Sequence, residues 1–156
     1  MLHVIADQKY APIFRDWIAE RLPYWHDDGT TKYIASVLEV DGKVETVGVS
    51  ALGRWTKTAC EANAASDGSK RQKIDRQYIW SVFDYAFNVE GKNCMTTRVA
   101  TDNHKSLALQ ELLGFKKVGV IEGYYGEGKD AVLFAITKQQ WQDGKWGSLE
   151  AQGDSE

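Results

Sequence analysis

No apolar run in the 156 residues approaches the ~20 needed to cross a bilayer, and the opening Met1-Leu2-His3-Val4-Ile5-Ala6-Asp7 has no basic stretch leading into a long apolar one. A membrane span and an export signal are therefore not expected, and the reading is cytoplasmic. Cysteine is scarce: Cys60 and Cys94 stand without CxxC spacing or a histidine-rich neighbourhood, so they read as free thiols in a reducing compartment. No P-loop, GxSxG elbow or HExxH occurs, and His26-Asp27-Asp28 reads as a polar turn, so no metal is expected. A basic surplus is also missing. The net charge of -3 resides in the tail, where Asp143, Glu150, Asp154 and Glu156 outweigh Lys145, so residues 1–141 are formally neutral. Nucleic-acid partners are disfavoured on that ground, since phosphate binding calls for clustered cations.

What is present suits one globular domain of ordinary core size, at 43% hydrophobic and 26% charged residues. Residues 1–141 are expected to form it, with 142–156 a disordered acidic tail. Leu2 to Ala6 reads as a strand and Tyr10 to Leu22 as a helix stopped by Pro23. Lys32–Val40 and Val44–Leu52 flank Asp41-Gly42, a strong two-residue hairpin signal. Trp55 to Ala65 has small residues on alternate positions and reads as a strand closely approached by something else. Ser66 to Arg71 reads as a loop, and Gln72 to Val89 as a helix whose Ile74, Tyr78, Val82, Tyr85 and Val89 form one stripe. Cys94–Thr101 returns to strand. Asn103 to Leu113 reads as a helix with Asn103 as N-cap, Gly114 as its left-handed stop and Phe115 folding back on Leu109. Two strands, 116–121 and 131–137, flank a glycine-rich loop over 122–129, and Trp141 closes the fold. This order predicts an α/β (α+β) mixed sheet covered by helices.

Asn103-x-x-Ser106 running to Leu113-Gly114-Phe115, after strand Arg98-Val99-Ala100-Thr101 and before Val118-Gly119 and Asp130-Ala131-Val132-Leu133-Phe134, resembles the second half of the GNAT N-acetyltransferases. Phe83-Asp84-Tyr85-Ala86-Phe87 is similar to the same superfamily, particularly Rim-type members and short stand-alone relatives of bacteria and phages. The likeness is good over residues 55–137 and rests on element order alone over 1–54. It implies a mostly antiparallel, twisted GNAT-like sheet with helices on both faces and a splayed central strand pair, and a homodimer is compatible with it.

The implied activity is acetyl transfer from acetyl-CoA, as co-substrate, to a primary amine in a ternary complex. Gly68, Ser69, Lys70, Arg71 and Gln72 would hold the diphosphate at a helix N-terminus. The family pattern there, Gln or Arg, two residues, Gly, one residue, then Gly or Ala, is met only by Gly68, with Lys70 at the last position. A solvated basic turn is the alternative. Backbone N–H groups near Cys60 to Ala62 would polarise the thioester carbonyl. Asn103 would contact the pantetheine, and Ser106 would hydrogen-bond the sulfur or serve as a plain capping hydroxyl. The family's tyrosine acid, seven residues after the asparagine, is replaced by Gln110. Glu61 is the leading general base, or else an exposed strand residue, with His26, Asp84, Tyr85 and Tyr124 in reserve. Tyr24, Trp25, Asp27, Asp28, Tyr124 and Tyr125 would flank the amine. The competing functions are acetylation of aminoacyl-tRNA or a modified nucleobase, and a non-catalytic interaction module on the same scaffold.

Overall fold

A computed structural model describes residues 1–68 and 75–149. Among the described residues seven strands form one sheet: β1 (Leu2–Ile5), β2 (Lys32–Val40), β3 (Lys43–Gly53), β4 (Ala59–Ser66), β5 (Cys94–Ala100), β6 (Lys116–Gly126) and β7 (Lys129–Thr137). Their spatial order is β1-β2-β3-β4-β5-β7-β6. Every pair is antiparallel except β4 with β5. That exception follows from the connection, because the chain crosses over a helix between these strands and so re-enters in the same direction. Four α-helices complete the described fold: α1 (Ala11–Ala19), α2 (Arg76–Asp84), α3 (His104–Leu112) and α4 (Lys138–Asp143). None is long and apolar enough to cross a membrane. The expected mixed, mostly antiparallel sheet with helices on both faces is what the chain forms.

Alternation along the strands sorts side chains onto two faces. Phe14 and Ile18 of α1 pack on Tyr33, Ala35, Val37, Val49 and Ala51. The opposite face carries Ile34, Leu52, Cys60, Met95, Val99, Val132 and Phe134 against Phe83 and Phe87, with Leu107 of α3 and the capping Leu113 at its margin. The two faces are therefore the α1 face and the α2/α3 face.

Local chemistry sets the boundaries. Asp41 and Gly42 both have positive φ, 53° and 76°, as a type I′ turn between β2 and β3 demands. Asn103 caps α3 by accepting the Ser106 N–H at 3.2 Å. Gly114 (φ 97°) ends the helix in a Schellman motif, with Phe115 N donating to Gln110 O at 3.0 Å and Gly114 N to Glu111 O at 3.1 Å. Phe115 turns into the core beside Phe83 at 5.7 Å, while Leu109 stays exposed. The long helical stripe from Gln72 is described only from Arg76. Its last turn widens to a π-turn, Tyr85–Val89, closed by Glu90 N to Tyr85 O at 2.9 Å.

Three expectations are corrected. β4 starts at Ala59 because residues 54–58 turn: Thr56 N donates to Ala59 O, and the Thr56 hydroxyl accepts the Ala59 N–H, both at 2.9 Å. The glycine-rich segment 122–129 is mostly strand, with β6 running to Gly126 and a tight turn at Glu127-Gly128. Within 142–149, where no order was expected, Trp146 is buried and its indole N–H donates to Leu112 O at 2.9 Å. Arg76 donates to Lys145 O at 2.7 Å and stacks over the Trp146 ring at 4.5 Å. This segment thus straps the start of α2 to the end of α3. Trp146→Phe, which deletes the donor and shrinks the buried ring, is expected to cost about 2 kcal/mol in a urea denaturation followed by circular dichroism. Residues 150–156 lie outside the described ones.

Candidate functional site

β4 and β5 pair only through Ala59, Cys60 and Glu61 with Cys94, Met95 and Thr96. Beyond that point the strands part. From Ala62 to Ser66, β4 pairs with β3 alone, and from Thr97 to Ala100, β5 pairs with β7 alone. The facing edges carry backbone N–H and C=O groups without a strand partner, which must find water or a ligand. A cleft of about 1090 Å³ opens there. Its β4 wall includes Ala62, Ala64 and Ala65, small enough for a chain to approach the backbone closely.

On the α2/α3 face the cleft passes Ser106 and the capping Asn103. Its floor holds two polar pairs: the Thr97 hydroxyl donates to Gln110 Oε1 at 2.9 Å, and the Ser50 and Tyr78 hydroxyls lie 2.5 Å apart. Burial drives the Tyr78 hydroxyl well above the ordinary tyrosine range. Cys60 points into the core, and desolvation, followed by the neighbouring Cys94, pushes its thiol up to about 12. The Cys60 side chain does not line the cleft, which leaves the expected backbone N–H role at this level untouched, and Ala62, one residue past the last β4–β5 pair, does line it.

On the α1 face, Glu61 is 8% exposed, which excludes the exposed-strand alternative. Its Oε2 bonds Arg98 Nη1 across the parting strands and lies 3.6 Å from Arg54 Nε. Its Oε1 accepts from Asn63 Nδ2 at 3.3 Å. Arg98 Nη1 also reaches the Tyr124 hydroxyl at 3.3 Å, with the guanidinium 5.1 Å from that ring's centre. The Tyr125 hydroxyl donates to Arg98 O at 3.3 Å, and Tyr24 packs on Tyr125 at 5.4 Å. Desolvation, with Tyr124 alongside, raises the Tyr125 hydroxyl above its ordinary value. A buried carboxylate, two arginines and an aromatic wall thus converge where the strands divide.

The acidic loop is organised differently from expectation. Asp27 does not line the cleft: its Oδ2 accepts from the Tyr33 hydroxyl and its Oδ1 from Gly29 N at 2.6 Å. Asp28 lines the cleft, but its oxygens are taken by Thr30 N and Thr30 Oγ1 at 2.8 Å, Thr31 Oγ1 at 3.0 Å and Arg54 N at 2.7 Å. Desolvation pushes this carboxyl up, and the four donors together outweigh it, holding it at about 2. A Cβ at Gly53 would sit 3.1 Å from Thr31 Oγ1 and 3.4 Å from Asp28 Oδ2, so glycine keeps this junction closed.

Among the expected residues, the cleft therefore gathers Tyr24, Trp25, Asp28, Glu61, Tyr124 and Tyr125. Gly68 also lines it. Ser69, Lys70, Arg71 and Gln72 lie outside the described residues. Of the reserves, His26 lines the cleft, whereas Asp84, bonded to Asn88 at 2.8 Å, and Tyr85 do not. Sequence reasoning missed Arg98, Arg54 and Asn63. Their one trace was a charged or polar residue at an alternate position of a strand, or at its end, at the level of Glu61.

No family model matches the chain. A stretch of 37 residues is 51% identical to an N-alpha-acetyltransferase of Saccharolobus solfataricus, covering 24% of this chain and 22% of that protein. Among solved structures, a spermidine N-acetyltransferase from Vibrio cholerae in complex with CoA and spermine superposes with a TM-score of 0.69 at 16% identity, over 91% of this chain and 98% of that one. A ribosomal-protein-S5-alanine acetyltransferase from Vibrio fischeri gives 0.65 at 16% identity, over 90% and 93%. The fold is that of the GNAT acetyltransferases.

Proposed function

We propose that this chain, built on the N-acetyltransferase fold, moves an acetyl group from acetyl-CoA to a primary amine by direct attack in a ternary complex. The observation that carries the reading is the parting of β4 and β5 after Glu61, which leaves two strand edges for an extended amide-bearing arm to pair with. The α2/α3 face receives the cofactor, and the α1 face the amine.

The backbone N–H groups around Ala62 polarise the thioester carbonyl as the amine nitrogen bonds to its carbon. Asn103 already spends its side-chain oxygen on the Ser106 N–H, so its amide N–H donors face the pantetheine. Ser106 directs its hydroxyl to the sulfur as the C–S bond breaks, and CoA leaves as the thiolate, which takes a proton from solvent water. Glu61, through water, takes the proton that the attacking amine must shed. Gly68 to Gln72 supply the diphosphate contacts. Both cysteines are free and Cys60 is buried, which suits a reducing, cytoplasmic setting.

The test is native mass spectrometry of the purified chain for bound CoA, followed by thiol release across a panel of amines. Failure to bind acetyl-CoA at high micromolar concentration overturns the proposal in favour of a non-catalytic module. Asn103→Ala is expected to weaken acetyl-CoA binding several-fold and to lower stability by about 1 kcal/mol through the lost cap. Calorimetry and a urea melt separate these effects.

A further inference from the structure

We infer that the amine accepted here carries a carboxylate a few bonds from its nitrogen, and that Arg54 is the residue that reads it. The inference rests on the acetyl-transfer reading and names the acceptor class of the same site.

Arg54 is one of only two non-glycine residues with positive φ among those described. The other, Asp41, is explained by its hairpin turn. Arg54, at φ 48°, closes no two-residue hairpin, and a side chain in this region carries strain that its surroundings must hold. They do so from two sides: Asp28 Oδ2 accepts its backbone N–H at 2.7 Å, and Gly53 leaves room for that contact. The fold thus fixes where this side chain starts. The guanidinium then reaches Glu61 at 3.6 Å while its side chain remains 67% exposed at the cleft.

A count of hydrogen-bonding capacity shows what is still wanted there. Counting Asp28, two anions meet two cations, so net charge does not decide the matter. Both Glu61 oxygens are engaged, by Arg98 and Arg54 on one and Asn63 on the other, and Asp28 already has four donors. Asp28 is spent, whereas Glu61 Oε1, with one donor at 3.3 Å, can accept once more. A guanidinium has five N–H donors, and those of Arg54 that point away from Glu61 have no partner in the cluster. The site therefore offers donors to a newcomer, and the acceptor whose geometry matches a guanidinium fork is a carboxylate. A polycationic amine would need a second free carboxylate beside Glu61, and Asp28 already holds four donors. With Glu61 and Arg54 side by side, an amine on the first and a carboxylate on the second belong to one small group. That group is a free α-amino acid or the acidic first residue of a peptide.

The test measures thiol release from acetyl-CoA by the full chain with matched acceptors: a Glu-first tripeptide against its Gln-first isostere, L-alanine against L-alaninamide, plus a Lys-first tripeptide and spermidine. In at least one pair the carboxylate member is expected to show a KM lower by roughly tenfold or more, and which pair responds identifies peptide or free amino acid as the source. Arg54→Gln is expected to erase that difference, and Arg54→Lys, with charge but no fork, to restore part of it. The inference is overturned if spermidine or the Lys-first peptide is the better acceptor. It is also overturned if Arg54→Gln changes both members of a pair equally, the mark of a residue that merely balances Glu61. Binding of acetyl-CoA without transfer to any acceptor sinks this inference alone; no binding sinks the acetyl-transfer reading with it.

Discussion

Glu61→Gln should lower kcat by roughly 10²–10⁴-fold, the usual weight of a positioned general base. The substitution is nearly isosteric and keeps an oxygen that can accept from Arg98, so the geometry at the strand junction has little reason to shift. What goes is the capacity to take a proton. The loss should therefore be larger at low pH than at high pH, because the amine sheds its own proton to solvent as pH rises and then needs the base less. A structural role for Glu61 predicts another pattern. Breaking a buried ion pair costs about 3–5 kcal/mol when the remaining charge finds no partner, and Arg98 Nε is already buried without one. Arg98 is itself 24% exposed and would keep the amide oxygen, so the destabilisation should be well below that range. A circular dichroism melt beside the pH–rate profile separates the two roles. If kcat falls less than about threefold and the profile keeps its shape, Glu61 is an anchor for Arg98 and the base lies elsewhere.

The distribution of what sequence could and could not reveal has a physical pattern. Elements punctuated by local chemistry were legible: Asp41-Gly42 fixed the hairpin, Asn103 began α3 and Gly114 ended it, because each acts on backbone atoms a few residues away. Elements decided by distant partners were not. Trp146 sits in a polar, acidic segment and is buried because it joins the main core, where Leu112 and Arg76, far back in the chain, meet it. The segment 122–126 reads as loop from its glycines and is held at its ends by β7, through Ile121 with Ala131 and Gly126 with Lys129, and between them by Asp130 Oδ1, which accepts the Gly123 N–H at 2.9 Å. The site repeats the lesson. Glu61 was visible as an acid on a small-residue strand, but Arg98 arrives from the neighbouring parallel strand and Arg54 from a turn, so their convergence is a property of topology. Asp27 and Asp28 looked free because sequence does not show the threonines, the Tyr33 hydroxyl and the Arg54 amide that occupy them.

Ala64→Tyr should abolish detectable acetyl-CoA binding, raising Kd by about a hundredfold or more, or roughly 2.7 kcal/mol, while leaving the fold intact. Ala64 lies on β4 past the last pair with β5, opposite Ser50 of β3, and its Cβ points to the α2/α3 face with those of Cys60 and Ala62. Unlike those two it is exposed, so a tyrosine there enters the cleft without entering the core. Tyrosine suits a strand, and a surface change of this kind usually moves stability by about 0.5 kcal/mol or less. A pantetheine arm paired to the edge of β4 would then meet the ring instead of an open backbone. Ala64→Ser, which adds one small hydroxyl, should bind nearly as the parent does. Calorimetry with CoA decides the point, with a urea melt to show that both variants fold. If the tyrosine variant binds CoA undiminished, the arm does not run along β4. The divergence of the two central strands would then need a purpose other than acetyl transfer.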